Sequence, residues 1–164
     1  MKKLDKKGFT LVELLAVVVI LGILMLVAIP AIQKTIQNSK KGTFANSTKE
    51  VVNAVKDAYA ADELGTNCPN GVSGDYYVSY DEAKKLLETE FKSPFHPNQA
   101  ISGYVHIHVS TKGKATYSAY IVDGAKGGTN GELEFSDIKI ANMVDKSAKG
   151  GSIGSNVCKI DSGA

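Results

Sequence analysis

The sequence has no Trp, no Arg, and only two Cys and four Pro in 164 residues. Two Cys are too few for a disulfide-dense mini-protein, and no internal repeat marks a solenoid or an array. Charge of one sign is also scarce. Its 19 basic residues, all Lys, face 17 Asp and Glu, a net charge of +2. With 43% apolar residues, that balance excludes a disordered tail or a collagen-like repeat as the whole molecule. The length suits one domain of ordinary size. These averages hide a segregation. Between Phe9 and Ile32 only Glu13 carries a charge, whereas the preceding MKKLDKKG holds four Lys and one Asp.

Leu14 to Ile32 is a run of 19 residues without an ionisable group, close to the ~20 that cross a bilayer as a helix. A basic start followed by an apolar run is also the form of a secretory signal peptide. The run is longer than the ~7 to 15 residues of a typical signal core, however. Pro30 also spoils the small-residue cleavage site that Ala28 would offer. Lys34, Lys40, Lys41 and Lys49 match the leader lysines in number, but the leader is denser and nearer the apolar run, which favours a cytoplasmic amino terminus. Glu13 is the unexpected residue. A carboxylate in hydrocarbon costs on the order of a few kcal/mol at the centre and less near an interface. On the residues alone, a carboxylate reaching water at the headgroups and a functional acid stand equal.

Lys6-Lys7-Gly8-Phe9-Thr10-Leu11-Val12-Glu13, the apolar run behind it and Pro30 together resemble the prepilin signature shared by type IV pilins and by the pseudopilins of type II secretion and DNA-uptake machines. The resemblance covers roughly Met1 to Ser39. It implies a leader at 1–8 that a prepilin peptidase cuts after Gly8, with methylation of the new amino group on Phe9. It further implies a membrane and filament-core helix at 9–37 and an extracytoplasmic head at 38–164. By the same resemblance Glu13 is the acidic residue that meets Phe9 of a neighbour on assembly, and Pro30 is the helix-kinking proline, with Gly22 a second weak point on account of its low helix propensity. Loss of the leader leaves 15 Lys and 16 acids, so the mature chain is no basic nucleic-acid binder by bulk charge.

Beyond the apolar run, Val51, Val52, Val55, Ala58 and Tyr59 recur at helical spacing, with Phe44 before them. The pattern predicts one long helix to about Leu64, ended by Gly65 in the left-handed conformation. Asn67 to Asp75 reads as surface loop. Ser79-Tyr80-Asp81-Glu82 fits a capping box opening a short helix with Ala83, Leu86, Leu87 and Phe91 on its apolar side, closed by Pro94 and Pro97. Tyr104 to Val109 alternates with period two, Lys112-Gly113 turns the chain, and Thr116 to Val122 returns as an antiparallel partner. Glu132 to Ile140 gives a third strand. The reading is an α+β fold, a long amino-terminal helix packed on a small antiparallel sheet, which is also the architecture the resemblance implies.

Three constellations invite chemistry. His106 and His108 share a strand face, with His96 before them, but no fourth metal ligand stands at a recognisable spacing, so a solvated face is preferred to a metal site. Asp123 to Gly131 is glycine-rich but lacks the order of a nucleotide loop. With Glu132 and Glu134 it holds oxygen donors for calcium, without the spacing of a known motif. Cys68 and Cys158 lack a diagnostic His for nucleophilic catalysis. In an exported domain they pair as a disulfide tying the carboxyl tail to the helix end, as in many pilins.

The expected function is a structural, non-enzymatic subunit of a type IV pilus-like filament, without cofactor. A pseudopilin of a secretion or DNA-uptake machine is the alternative, the one case in which nucleic acid becomes a partner. Expected partners are identical or related subunits, the prepilin peptidase, the assembly platform and its ATPase. The expected location is the membrane, as a single-pass protein, and then a cell-surface filament. A membrane-tethered enzyme or metal-binding domain explains the span and the His pair but not Gly8, Phe9 and Glu13 together.

Overall fold

A computed structural model describes residues 10–160. Gly8 and Phe9 lie outside the described residues. The chain divides into two compact units between Gln37 and Asn38.

The first unit carries the start of α1 (Leu11–Ala60). Its Leu, Val and Ile side chains from Leu11 to Ile36 are exposed, and no part of the most apolar stretch is buried. The helix is long and apolar enough to cross a membrane. It continues through Gly22 and Pro30, although Pro30 has no N–H to offer the carbonyl one turn back.

In the second unit α1 buries a stripe made of Phe44, Ala45, Thr48, Val51, Val52, Val55, Ala58 and Tyr59. The three- and four-residue spacing places these on one face. Thr48, fully buried, donates its hydroxyl to the Phe44 carbonyl at 2.9 Å, which satisfies that polar group within the apolar stripe. The helix stops at Ala60, one turn before the expected Leu64. Asp62 takes the left-handed conformation at φ 60°, and the Glu63 N–H closes back on the Ala58 carbonyl at 2.9 Å. Asp is one of the few non-glycine residues that visits this region, so the stop arrives before Gly65. Gly65 is also left-handed and serves the next turn, accepting from the Cys68 N–H at 3.1 Å.

The sheet comprises β1 (Gly74–Ser79), β2 (Ile101–Val109), β3 (Ala115–Asp123), β4 (Gly128–Thr129), β5 (Leu133–Glu134), β6 (Met143–Val144) and β7 (Val157–Cys158). Its order is β6-β4-β3-β2-β1-β7, with β5 also on β3. β2 and β3 form the expected hairpin, in register from Ile101 opposite Asp123 to Val109 opposite Ala115. The sheet is mixed, because β7 runs parallel to β1. Val78, Val105, Ile107, Val109, Ala119 and Ile121 join the α1 stripe in one core. At the end of α1 nearer Asn38, the Phe44 ring packs edge-on to Phe91 at 4.9 Å and stacked on Phe95 at 5.5 Å.

Three local expectations need correction. β1 falls partly in the stretch read as loop and is absent from the sequence reading. The third strand shrinks from Glu132–Ile140 to Leu133–Glu134, and 3-10 turns at Phe135–Asp137 and Ile140–Asn142 replace the rest. The short helix α2 (Tyr80–Ala83), with a 3-10 turn at Lys84–Leu86, does not reach Phe91. Ser79 caps it as expected, accepting from the Glu82 N–H at 3.3 Å. The reciprocal half of the capping box is missing, because Glu82 instead accepts from the Ile160 N–H at 2.9 Å and from Lys85 at 2.8 Å.

Candidate functional site

At the start of α1, Thr10 donates to Glu13 Oε2 twice, from its backbone N–H at 2.8 Å and from its hydroxyl at 2.7 Å. Its hydroxyl oxygen also accepts from the Glu13 N–H at 3.3 Å. This is a capping box: the N-terminal N–H groups of a helix have no internal partners, and a Thr and a Glu three residues apart satisfy two of them reciprocally. Thr10-Leu11-Val12-Glu13 carries that signature in plain sequence, and the sequence reading passed over it. Both Oε2 contacts are local, and among the described residues Glu13 Oε1 makes no hydrogen bond. Behind this cap stand the exposed apolar residues of the membrane-length run.

Cys68 and Cys158 form a disulfide with Cα atoms 5.6 Å apart. Both are buried. The bond joins the loop after α1 to β7, and β7 is held on β1 by the parallel pairing of Tyr77 with Val157 and Val78 with Cys158.

His106 and His108 share the sheet face turned away from α1, as their alternation requires. Register sets Asp75 opposite His108 and Tyr77 opposite His106. Asp75 Oδ1 lies 2.9 Å from His106 Nε2 and 2.7 Å from His108 Nδ1. The other nitrogen of His106 reaches Glu132 Oε1 at 2.7 Å. Glu132 also accepts from Tyr104 at 2.7 Å and from Ser118, and Tyr77 stacks on the His106 ring at 4.5 Å. Hydrogen bonds from His108 and then His106 hold Asp75 below the usual carboxylate range. Burial pushes Glu132 up, but the bonds from Ser118, Tyr104 and His106 outweigh it and leave it low. Burial, with the Glu132 bond second, raises the Tyr104 phenol. Both nitrogens of His106 are thus spent on carboxylates, and among the described residues no group of three or more His, Cys, Asp or Glu is arranged to hold a metal ion. Asp75 is the partner that the sequence reading missed. Nothing local announces it; only the register of β1 on β2 does.

His96 belongs to a different cluster. Asp123, with its side chain fully buried, accepts at Oδ2 from Ser93 at 2.6 Å and lies 2.8 Å from His96 Nδ1. At Oδ1 it accepts from the N–H groups of Ala125 at 3.0 Å and Gly127 at 2.8 Å. Ser93 and His96 converge on one oxygen, so the imidazole does not stand between hydroxyl and carboxylate as a nucleophile's base must. The cluster is an anchor that fixes the Ser93–His96 loop and the Gly-rich turn together. The two carboxylates nearest that turn, Asp123 and Glu132, are both engaged in internal hydrogen bonds.

The family model of the prokaryotic N-terminal methylation motif matches residues 3–29. That motif is the prepilin signature of type IV pilins and pseudopilins. With the long amino-terminal helix on a several-stranded sheet, the fold is α+β and pilin-like. Over residues 3–29 the chain thus carries the signature of prepilin-processed pilins and pseudopilins, and its apolar amino-terminal helix fits membrane anchoring. No curated protein and no solved structure matches the chain.

Proposed function

We propose that this protein is the structural subunit of a type IV pilus-like filament, cut after Gly8, methylated on Phe9 and drawn from the membrane into the fibre. The observation that carries the reading is the methylation motif leading into a helix whose large apolar side chains are exposed. On extraction, contact with the same segment of neighbouring copies replaces the lipid contacts that are lost, through dispersion and close packing. An ATPase on the cytoplasmic side drives the transfer, and residues 38–164 form the head outside the membrane.

Glu13 sets the axial register in this proposal. An apolar helix alone slides, whereas a carboxylate that meets the Phe9 amine of a neighbour in low dielectric offsets two buried charges at one position. With Oε2 engaged by Thr10, Oε1 is the oxygen left for that amine. Two measurements test the reading. Intact mass of membrane-extracted protein should correspond to a start at Phe9 plus one methyl group. Electron microscopy of sheared surface material, labelled with an antibody to the head, should show long fibres. Labelled protein that stays in the membrane without fibres points instead to a pseudopilin, and a mature start at Met1 or beyond Ile32 removes the basis of both.

A further inference from the structure

Charges on α1 past the apolar run sort by sign. Lys34, Lys40, Lys41 and Lys49 follow one another with no acid between them, and then come Glu50 and Asp57, with Asp62 and Glu63 just past the helix end and Lys56 the one exception. None of the helix charges in this stretch stands three or four residues from an opposite charge, the spacing at which a helix pairs its own side chains. Among the described residues the ion pairs lie elsewhere, for example Lys84 with Asp81 and Lys139 with Asp137. Glu50, Asp57 and Glu63 border an open groove of about 530 Å³ over Ala54 and Ala58, with Leu86 at its edge. The small Ala side chains leave room for the aliphatic stem of a lysine.

We propose that a second copy of this chain fills this groove, with its Lys34 on Glu50 and its Lys41 on Asp57. The inference deepens the filament reading and rests on it, by naming the surface through which subunits dock outside the apolar segment. Lys34 and Lys41 are seven residues apart, and so are Glu50 and Asp57; seven residues are two turns of helix, ~10.5 Å of axis. Copies drawn from one membrane with one topology lie parallel. In a parallel copy other than the one whose Phe9 meets Glu13, a single stagger of sixteen residues, about 24 Å of helix, satisfies both pairs at once. Lys34, Glu50 and Asp57 are exposed and Lys41 half-buried, so all four side chains have access to a neighbour.

The test uses the full-length chain in cells that assemble it. Reversal of one side, K34E with K41E or E50K with D57K, should lower the fraction of subunit in sheared filaments roughly fivefold, the scale of about 1 kcal/mol summed over the two exposed ion pairs. The quadruple reversal restores complementarity and should recover the yield. Zero-length amine-to-carboxyl crosslinking of isotopically mixed subunits should join Lys34 to Glu50 and Lys41 to Asp57 between copies. A quadruple variant no better than either double, or inter-copy crosslinks only at other staggers, overturns the proposal. If the wild type makes no filament, the filament reading fails and this docking with it, whereas filaments that form without these crosslinks overturn the docking alone.

Discussion

Thr10 holds Glu13 by two hydrogen bonds into a single carboxylate oxygen, so the acid of the apolar run has a partner in its own chain before any neighbour arrives. Part of the cost of placing a carboxylate there is offset locally, and Thr10 orients the group that the filament proposal needs. Glu13→Gln keeps the size and removes the charge. Membrane insertion should persist or improve, while the ratio of subunit in sheared filaments to subunit in membranes falls, with leader cleavage checked in both proteins. Thr10→Val should lower the same ratio more mildly, since it removes the hydroxyl and leaves the charge, at a cost of about 1 kcal/mol in capping. Normal filament yield from Glu13→Gln would show a carboxylate that is merely tolerated.

The Cys68–Cys158 bond closes a loop with a sequence separation of 90, for which chain entropy gives on the order of 4 to 5 kcal/mol. Peptide mapping without reduction should recover the two cysteine peptides linked. The Cys68→Ser, Cys158→Ser double variant should unfold at lower denaturant and release the tail to protease first. β7 has only two paired residues to hold it.

Asp123 makes the head acid-sensitive. Burial alone pushes its carboxyl up, but hydrogen bonds from Ser93, His96 and the Gly127 N–H outweigh burial and hold it below its ordinary value. A group whose pKa is depressed by folding gives stability that is full above the unfolded pKa, ~3.9 for Asp, and is lost as pH falls through the folded value. The unfolding midpoint should therefore drop below about pH 4. Asp123→Asn should flatten that part of the curve while lowering stability at neutral pH by about 1–3 kcal/mol, because Ser93 and His96 lose their acceptor. A mutant with the wild type's acid limb would assign the sensitivity elsewhere.

Gly103 and Gly22 should respond oppositely to alanine. At Gly103 the backbone has φ +134°, and an added Cβ would sit 1.9 Å from the Tyr120 carbonyl oxygen across the hairpin. Gly103→Ala is expected to cost more than ~2 kcal/mol, read as loss of folded, disulfide-bonded protein. Gly22 has no atom near its would-be Cβ, so Gly22→Ala should leave the head's melting temperature unchanged and favour the helix by about 1 kcal/mol.

Much of this architecture stands in the sequence because strong periodicities carry it. The apolar run, the stripe from Phe44 to Tyr59 and the alternation from Tyr104 to Val109 each repeat long enough to fix their element. β1 escaped because six residues bounded by Gly-rich loop offer little pattern, and it is parallel pairing with a distant tail that completes its environment. The helix end was misplaced because Asp62 performs a glycine's task. The Thr10–Glu13 cap is legible as a Thr and a Glu three residues apart, a short signal beside the much longer apolar run. The Asp75–His106–His108–Glu132 network and the Asp123 anchor were not legible: their members are far apart in sequence, and only register or turn geometry brings them together.

The disulfide gives the head a closed topology. Every strand of the sheet lies within the covalent ring that runs from Cys68 to Cys158, while α1 lies outside it. A protease that cuts once in any exposed loop of the ring severs the chain without separating the pieces, which remain joined through the sulfur bridge and through the sheet. A cut between Ala60 and Cys68 severs the ring's covalent link to α1, yet the buried stripe from Phe44 to Tyr59 still holds helix and sheet in one core. One cleavage therefore sheds the sheet together with this stripe only where it falls in α1 ahead of Phe44.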